Sequence, residues 1–205
     1  MTAKIINGKE IAAKIKQNIA KEVEKLKKKH KITPTLAVIL VGKDPASEVY
    51  VGNKEKAAHL VGMNSIQFKM AADISEDELI AKIDELNKDN KIHGILVQLP
   101  LPKHIDTKKV IKSIIHKKDV DGFNVINVGK LATGQITGEE SALVPCTPLG
   151  CVDLLKSAVG KDLAGIKVLV IGNSNIVGGP LAQLLLYEKA RVTSANSSDK
   201  GLKGE

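Results

Sequence analysis

The stretch Leu36-Ala37-Val38-Ile39-Leu40-Val41-Gly42-Lys43-Asp44-Pro45 decides the fold. Six apolar residues run without alternation, as a strand covered on both faces requires. Gly42 stops the run. Asp44 then offers an N-cap side chain, and Pro45 suits the first helical position. A buried strand feeding straight into a helix predicts a parallel α/β arrangement.

Working outward, the same alternation repeats. Gly62 ends the helix that follows Asp44, and Asn64–Met70 reads as a second strand. Ser75 with Glu78 makes a capping box, and Leu79, Ile83 and Leu86 face inward from its helix. Ile92–Leu99 reads as a third strand stopped by Pro100 and Pro102. Val110, Ile111, Ile114 and Ile115 mark another short helix. Residues 117–146 read as a long irregular connection. Thr147-Pro148 opens a further helix. Ile166–Ile171 is a buried strand, Gly172–Gly179 a glycine turn, Pro180–Tyr187 a helix, and Arg191 starts a last strand. The expected fold class is α/β in two units, with a parallel-sheet domain over residues 1–145 and a partial Rossmann-like domain over residues 146–205.

Composition fits this reading. The chain has 205 residues, 43% of them hydrophobic but only 2% aromatic, with no Trp. Ile, Leu, Val and Ala must build the core, and base stacking on single-stranded nucleic acid has few aromatics to use. The net charge is +8. Much of it lies in Lys21–Lys31, where Ile11, Ile15, Ile19, Val23 and Leu26 recur at helical spacing. The lysines therefore read as the wet face of an amphipathic helix rather than a nucleic-acid site. A positive field still favours anionic substrates. Cys146 and Cys151 form neither a zinc framework nor a disulfide scaffold. The N-terminus, Met1–Gly8, lacks a signal-peptide core, and no run reaches the roughly 18 apolar residues of a membrane span. A reduced, cytoplasmic protein with no membrane or nucleic-acid partner is expected.

Three places could carry chemistry. Gln98 is a primary amide at the carboxyl end of an apolar strand, where open α/β sheets bind ligands. A buried amide left unpaired costs roughly 1–3 kcal/mol, so it needs a partner, either a structural neighbour or a functional one. Tyr50 and Lys54 are four apart on one helix face that continues through Ala57, Ala58 and Val61. A lysine there either snorkels to solvent or is desolvated, which favours its neutral form and proton exchange. Lys118-Asp119-Val120-Asp121-Gly122 follows a helix. Its acids are turn formers, or one of them grips a heterocycle through paired hydrogen bonds. Metal ligation is not expected, since no third ligand stands at the right spacing. Lastly, Gly172-Asn173-Ser174-Asn175-Ile176-Val177-Gly178-Gly179 resembles a dinucleotide-binding turn, with Ser174 where a second glycine would stand. Amides at the following helix start suit a pyrophosphate. No acid closes the strand ahead of Ser197.

These strings together resemble the bifunctional methylenetetrahydrofolate dehydrogenase/methenyltetrahydrofolate cyclohydrolase family. The resemblance rests on Val41–Ser47, Tyr50–Lys54, Gly94–Pro102, Lys118–Phe123, Pro145–Pro148 and Ile176–Pro180, in order along the chain. It implies that Lys54 transfers protons at the one-carbon unit, oriented by Gln98 and flanked by Tyr50, and that Tyr50, Gln98 and Asp121 bind substrate. Asp121 would hold the pterin. Gly172, Asn173, Ser174, Ile176 and Ser197 would line the dinucleotide site. Tetrahydrofolate derivatives are the implied partners, NADP the implied cofactor with NAD possible, and a homodimer the implied assembly if the dinucleotide domain is complete. No metal is implied.

Asn173 stands where the family usually has Arg, and Ala195-Asn196 where it has Cys-His. The family also continues past the position of Glu205; if this is the whole polypeptide, an apolar face on the dinucleotide sheet is expected to be exposed. A catalytically silent folate-binding or interaction module is the alternative.

Overall fold

The computed structural model of the chain describes residues 5–199. The expected domain ranges and the Met1–Gly8 reading run partly into residues 1–4 and 200–205, outside the described residues. The chain divides into two compact units, residues 9–120 and residues 121–199 with residues 5–8.

The first unit holds α1 (Gly8–His30), β1 (Thr35–Val41), α2 (Pro45–Leu60), β2 (Asn64–Met70), α3 (Glu76–Lys88), β3 (Gly94–Val97) and α4 (Thr107–Ser113). Its sheet has the order β2-β1-β3, and both pairings are parallel. β1 lies at the centre, which explains its continuous apolar sequence. Ala37, Ile39 and Val41 pack with Ile95, Val97, Leu79 and Val110. The alternate residues Val38 and Leu40 pack with Leu96 and with Val51 of α2.

The capping chemistry forms as read. Asp44 Oδ1 accepts from the Ser47 N–H at 2.7 Å. Ser75 and Glu78 form the reciprocal box. Gly62 turns the chain out of α2 at φ +84°. In α1, Val23 is buried while Ile15, Ile19 and Leu26 stay 39–41% exposed, so the apolar stripe exists but is only partly covered.

β3 is shorter than the expected Ile92–Leu99. Single backbone hydrogen bonds flank it, from His93 N–H to Thr35 and from Gln98 N–H to Ile39. Beyond Gln98, Pro100 and Pro102 have no N–H to continue a ladder.

The second unit holds α5 (Val125–Ala132), α6 (Cys146–Val159), β4 (Lys167–Ile171), α7 (Gly178–Tyr187) and β5 (Arg191–Ala195). β4 and β5 pair in parallel. α5 lies inside the stretch expected to be irregular. Asn124 caps it by accepting from the Ile126 N–H at 2.9 Å, and Leu131 anchors it in the core with Leu184 and Leu185. The glycines Gly122, Gly129 and Gly134 masked that short apolar periodicity. α5 and Ala142 share this core, and the compact second unit includes residues from Asp121 on. α6 starts at Cys146 after Pro145, with no side-chain cap, so Thr147 lies inside the first turn instead of capping it. Leu169 and Ile171 of β4 are 39% and 69% exposed.

Candidate active site

In the first unit, α2 and the end of β3 bring together the residues singled out in sequence. Tyr50 and Lys54 lie one helical turn apart on α2, which Val51 anchors in the core. Lys54 Nζ donates to Gln98 Oε1 at 3.1 Å. Gln98 Nε2 donates to the Leu99 carbonyl at 2.8 Å, which turns its oxygen toward the lysine. Lys54 Nζ also lies 5.5 Å from the centroid of the Tyr50 ring, within cation–π range.

The amide is thus satisfied, but it is half-buried one residue past the strand rather than fully buried within it. Tyr50 is 63% exposed and is not core. Gly52 of the same helix has open space where a Cβ would stand. An exposed ring, an ammonium and an amide oxygen together form a polar shelf at a strand's carboxyl end. Such a shelf can pass a proton to or from a bound group.

Val120 closes the first unit. Gly94 admits it, because a Cβ on Gly94 would overlap Val120 Cγ1. Asp119 is 2% exposed and bridges Ile95. The turn acid of this motif that sequence reasoning passed over is therefore the buried one. Asp121 is half-buried and opens the second unit. Gly122 follows at φ +68°, and a Cβ there would overlap the Leu143 carbonyl oxygen.

In the second unit, a cavity of about 530 Å³ lies against β4 and the start of α7. Gly172, Asn173 and Ser174 line it, with Val177, Gly178 and Leu181. Ile176 and Ser197 are exposed and are not among its lining residues. Gly172 has φ +106°, and a Cβ on Gly178 would overlap the Gly172 carbonyl oxygen. Gly178 is therefore the residue that lets α7 close on the turn, the role a third glycine has in such motifs. The Gly178-Gly179-Pro180 string held that signal. Ser174 closes the turn on itself, its Oγ accepting from Val177 N–H at 3.1 Å and its carbonyl from Gly179 N–H at 3.0 Å. Those two amides are engaged within the turn, which narrows the set available to an anion. Among the described residues, no cluster of three potential metal ligands occurs and no helix is long and apolar enough to cross a membrane.

A parallel α/β unit with a lysine–amide pair at a strand end, joined to a unit built on a glycine βα turn, makes this a two-unit α/β protein with a Rossmann-like part. The chain belongs to the tetrahydrofolate dehydrogenase/cyclohydrolase family. Residues 6–121 match the family's catalytic domain, and residues 145–205 match its NAD(P)-binding domain. The bifunctional protein FolD 2 of Roseobacter denitrificans is 54% identical over 98% of the chain. The chain spans 65% of that relative's length. The crystal structure of the bifunctional FolD methylenetetrahydrofolate dehydrogenase/cyclohydrolase of Campylobacter jejuni is similar, with a TM-score of 0.90 and 46% identity. That match covers 96% of this chain and 68% of the other. The Trypanosoma brucei enzyme, solved with NADP and an inhibitor, has a TM-score of 0.90 at 34% identity, covering 99% of this chain and 68% of its own.

Proposed function

We propose that the protein oxidises 5,10-methylenetetrahydrofolate to the 5,10-methenyl form and hydrolyses that product to 10-formyltetrahydrofolate. In the first step a hydride leaves the methylene carbon and the folate becomes a cation. NADP supplies the hydride acceptor when bound. In the second step water adds to the methenyl carbon, the ring opens and one proton is released. Lys54 takes and returns protons at that carbon, Gln98 holds the ammonium in place, and Tyr50 flanks it. Asp121 holds the pterin.

The observation that carries this reading is the 3.1 Å bond between Lys54 and Gln98 beside an exposed Tyr50 ring. The dinucleotide assignment is supported by the cavity against Gly172, Asn173 and Ser174 and by the Gly178–Gly172 approach. Ile176 and Ser197 belong to the same assignment, although neither lines that cavity. Residues 1–145 then serve folate and residues 146–205 the dinucleotide. NADP is preferred to NAD on the precedent of the trypanosomal complex. The bifunctional names of relatives at 54% identity favour the active enzyme over a silent module. A cytoplasmic homodimer belongs to the same reading.

The test is to follow reduced-dinucleotide formation with 5,10-methylenetetrahydrofolate, using NADP and NAD in turn, and methenyl hydrolysis separately. Activity in both assays that Lys54→Met abolishes supports the proposal. A Lys54→Met variant with unimpaired hydrolysis overturns the role of Lys54.

A further inference from the structure

Lys118 Nζ donates three hydrogen bonds, all to main-chain carbonyls where α3 ends. They run to Leu86 at 3.0 Å, Asn87 at 2.8 Å and Asp89 at 2.8 Å. The last carbonyls of a helix lack partners within it, and its C-terminus is the negative end of the dipole. An ammonium has three N–H donors, and here each has an acceptor. Burial pushes the Lys118 ammonium below the ordinary lysine range, with the Asp89 carboxylate opposing the shift.

The same helix end grips the chain a second time. Asn87 Nδ2 donates to the Ser113 carbonyl at 2.7 Å, and Asn87 Oδ1 accepts from the Ile115 N–H at 3.1 Å. On the other side, the Lys118 carbonyl accepts from the Ile95 N–H of β3 at 2.7 Å. Asp119 bridges Ile95, and Val120 packs on the bare backbone of Gly94. Residues 118–120 are therefore held between the end of α3 and β3. The next residue is Asp121.

We propose that Lys118 is a positioning residue for folate: tying the chain to the end of α3 sets the backbone course from which the Asp121 carboxylate holds the pterin. This rests on the function proposed above. A ligand-holding group works only within about 0.5 Å of its productive place, whereas a slip of one residue moves the chain by about 3.3 Å. A lysine that merely capped α3 would affect stability without being coupled to one ligand.

The experiment is a double-mutant cycle on the full chain, read by calorimetric binding of 5,10-methenyltetrahydrofolate. Lys118→Met is expected to weaken folate binding about tenfold, within the usual range of coupled neighbours. Lys118→Met combined with Asp121→Asn is expected to bind no more weakly than Asp121→Asn alone. NADP affinity is expected to stay unchanged, and Lys118→Arg to restore folate binding. Unweakened binding by Lys118→Met, or additive losses in the cycle, overturns the inference while leaving the folate reading intact. No binding by the unmutated chain overturns both. If circular dichroism shows Lys118→Met unfolded, Asn87→Ala loosens the same helix end and takes its place in the cycle. Coupled loss there supports the inference, and absent or additive loss overturns it.

Discussion

The Lys54 ammonium donates to the Gln98 amide oxygen at 3.1 Å, joining a helix face to a strand end across 44 positions of sequence. Each residue alone has an ordinary structural explanation. Together, with Gln98 turned by its own bond to Leu99 and Tyr50 alongside, they form a polar pair that the core does not need. Both are half-buried, so the pair is open to a ligand.

Lys54→Met is expected to lower dehydrogenase and hydrolase rates by at least about a hundredfold, the usual share of a placed proton-transfer group. Its melting temperature is expected to stay close to that of the unmutated protein, because the side chain is outside the core. Parallel rate and melting measurements check this. Loss of folding together with rate would remove the inference about chemistry.

Gly178→Ala puts a methyl group into the Gly172 carbonyl oxygen. A destabilisation of about 1–3 kcal/mol is expected, as for other overpacked sites. Dinucleotide binding is expected to weaken more than folate binding. Urea unfolding gives the first quantity, and calorimetry with NADP gives the second. Gly179→Ala, whose nearest neighbour is the Ser174 carbonyl at 3.4 Å, is expected to be milder.

Gly122→Ala meets two penalties at once. Its φ of +68° is disfavoured for an L side chain, and the methyl would overlap the Leu143 carbonyl oxygen with Pro145 Cδ only 2.9 Å away. The conformational part alone is roughly 1–2 kcal/mol. Lower soluble yield and an earlier urea midpoint are expected. Unchanged stability would show that the 143–145 segment shifts freely.

Glu76 accepts from Lys109 at 2.8 Å and from the Asp106 N–H at 2.7 Å. The Lys109 bond, then the Asp106 amide, hold its carboxyl below the usual glutamate range. A depressed folded-state pKa means the contribution is present above the unfolded glutamate pKa and is lost as pH falls through the folded value. Glu76→Gln is therefore expected to lower stability at neutral pH, to change it little below the folded pKa, and so to flatten the acid side of the stability–pH curve. Melting temperatures across an acid titration measure it, and parallel curves for the two proteins would contradict the assignment.

Much of the fold was legible because its signals are local. The Asp44 cap, the Ser75–Glu78 box and the apolar run of β1 each depend on residues within one turn or one strand. The misreadings arose where local cues conflicted. Glycines at 122, 129 and 134 hid α5, whose evidence is an Asn124 cap and a few inward residues. At Cys146 the helix begins after a proline instead of at the threonine that looks like a cap. The strand end at Gln98 was misplaced because apolarity continues to Leu99 while the pairing with β1 ends at Val97.

By itself the sequence determined the α/β class, the parallel order of strand and helix, and the residues Lys54, Gln98 and Tyr50 as a set to be explained. Hydrophobic period and capping are short-range, so they survive in a linear reading. Only the tertiary structure decided that Gln98 gives its oxygen to Lys54, that Gly178 closes on Gly172, and that Lys118 spends all three donors on the end of α3. Those facts depend on distances between segments remote in sequence, and packing alone sets such distances.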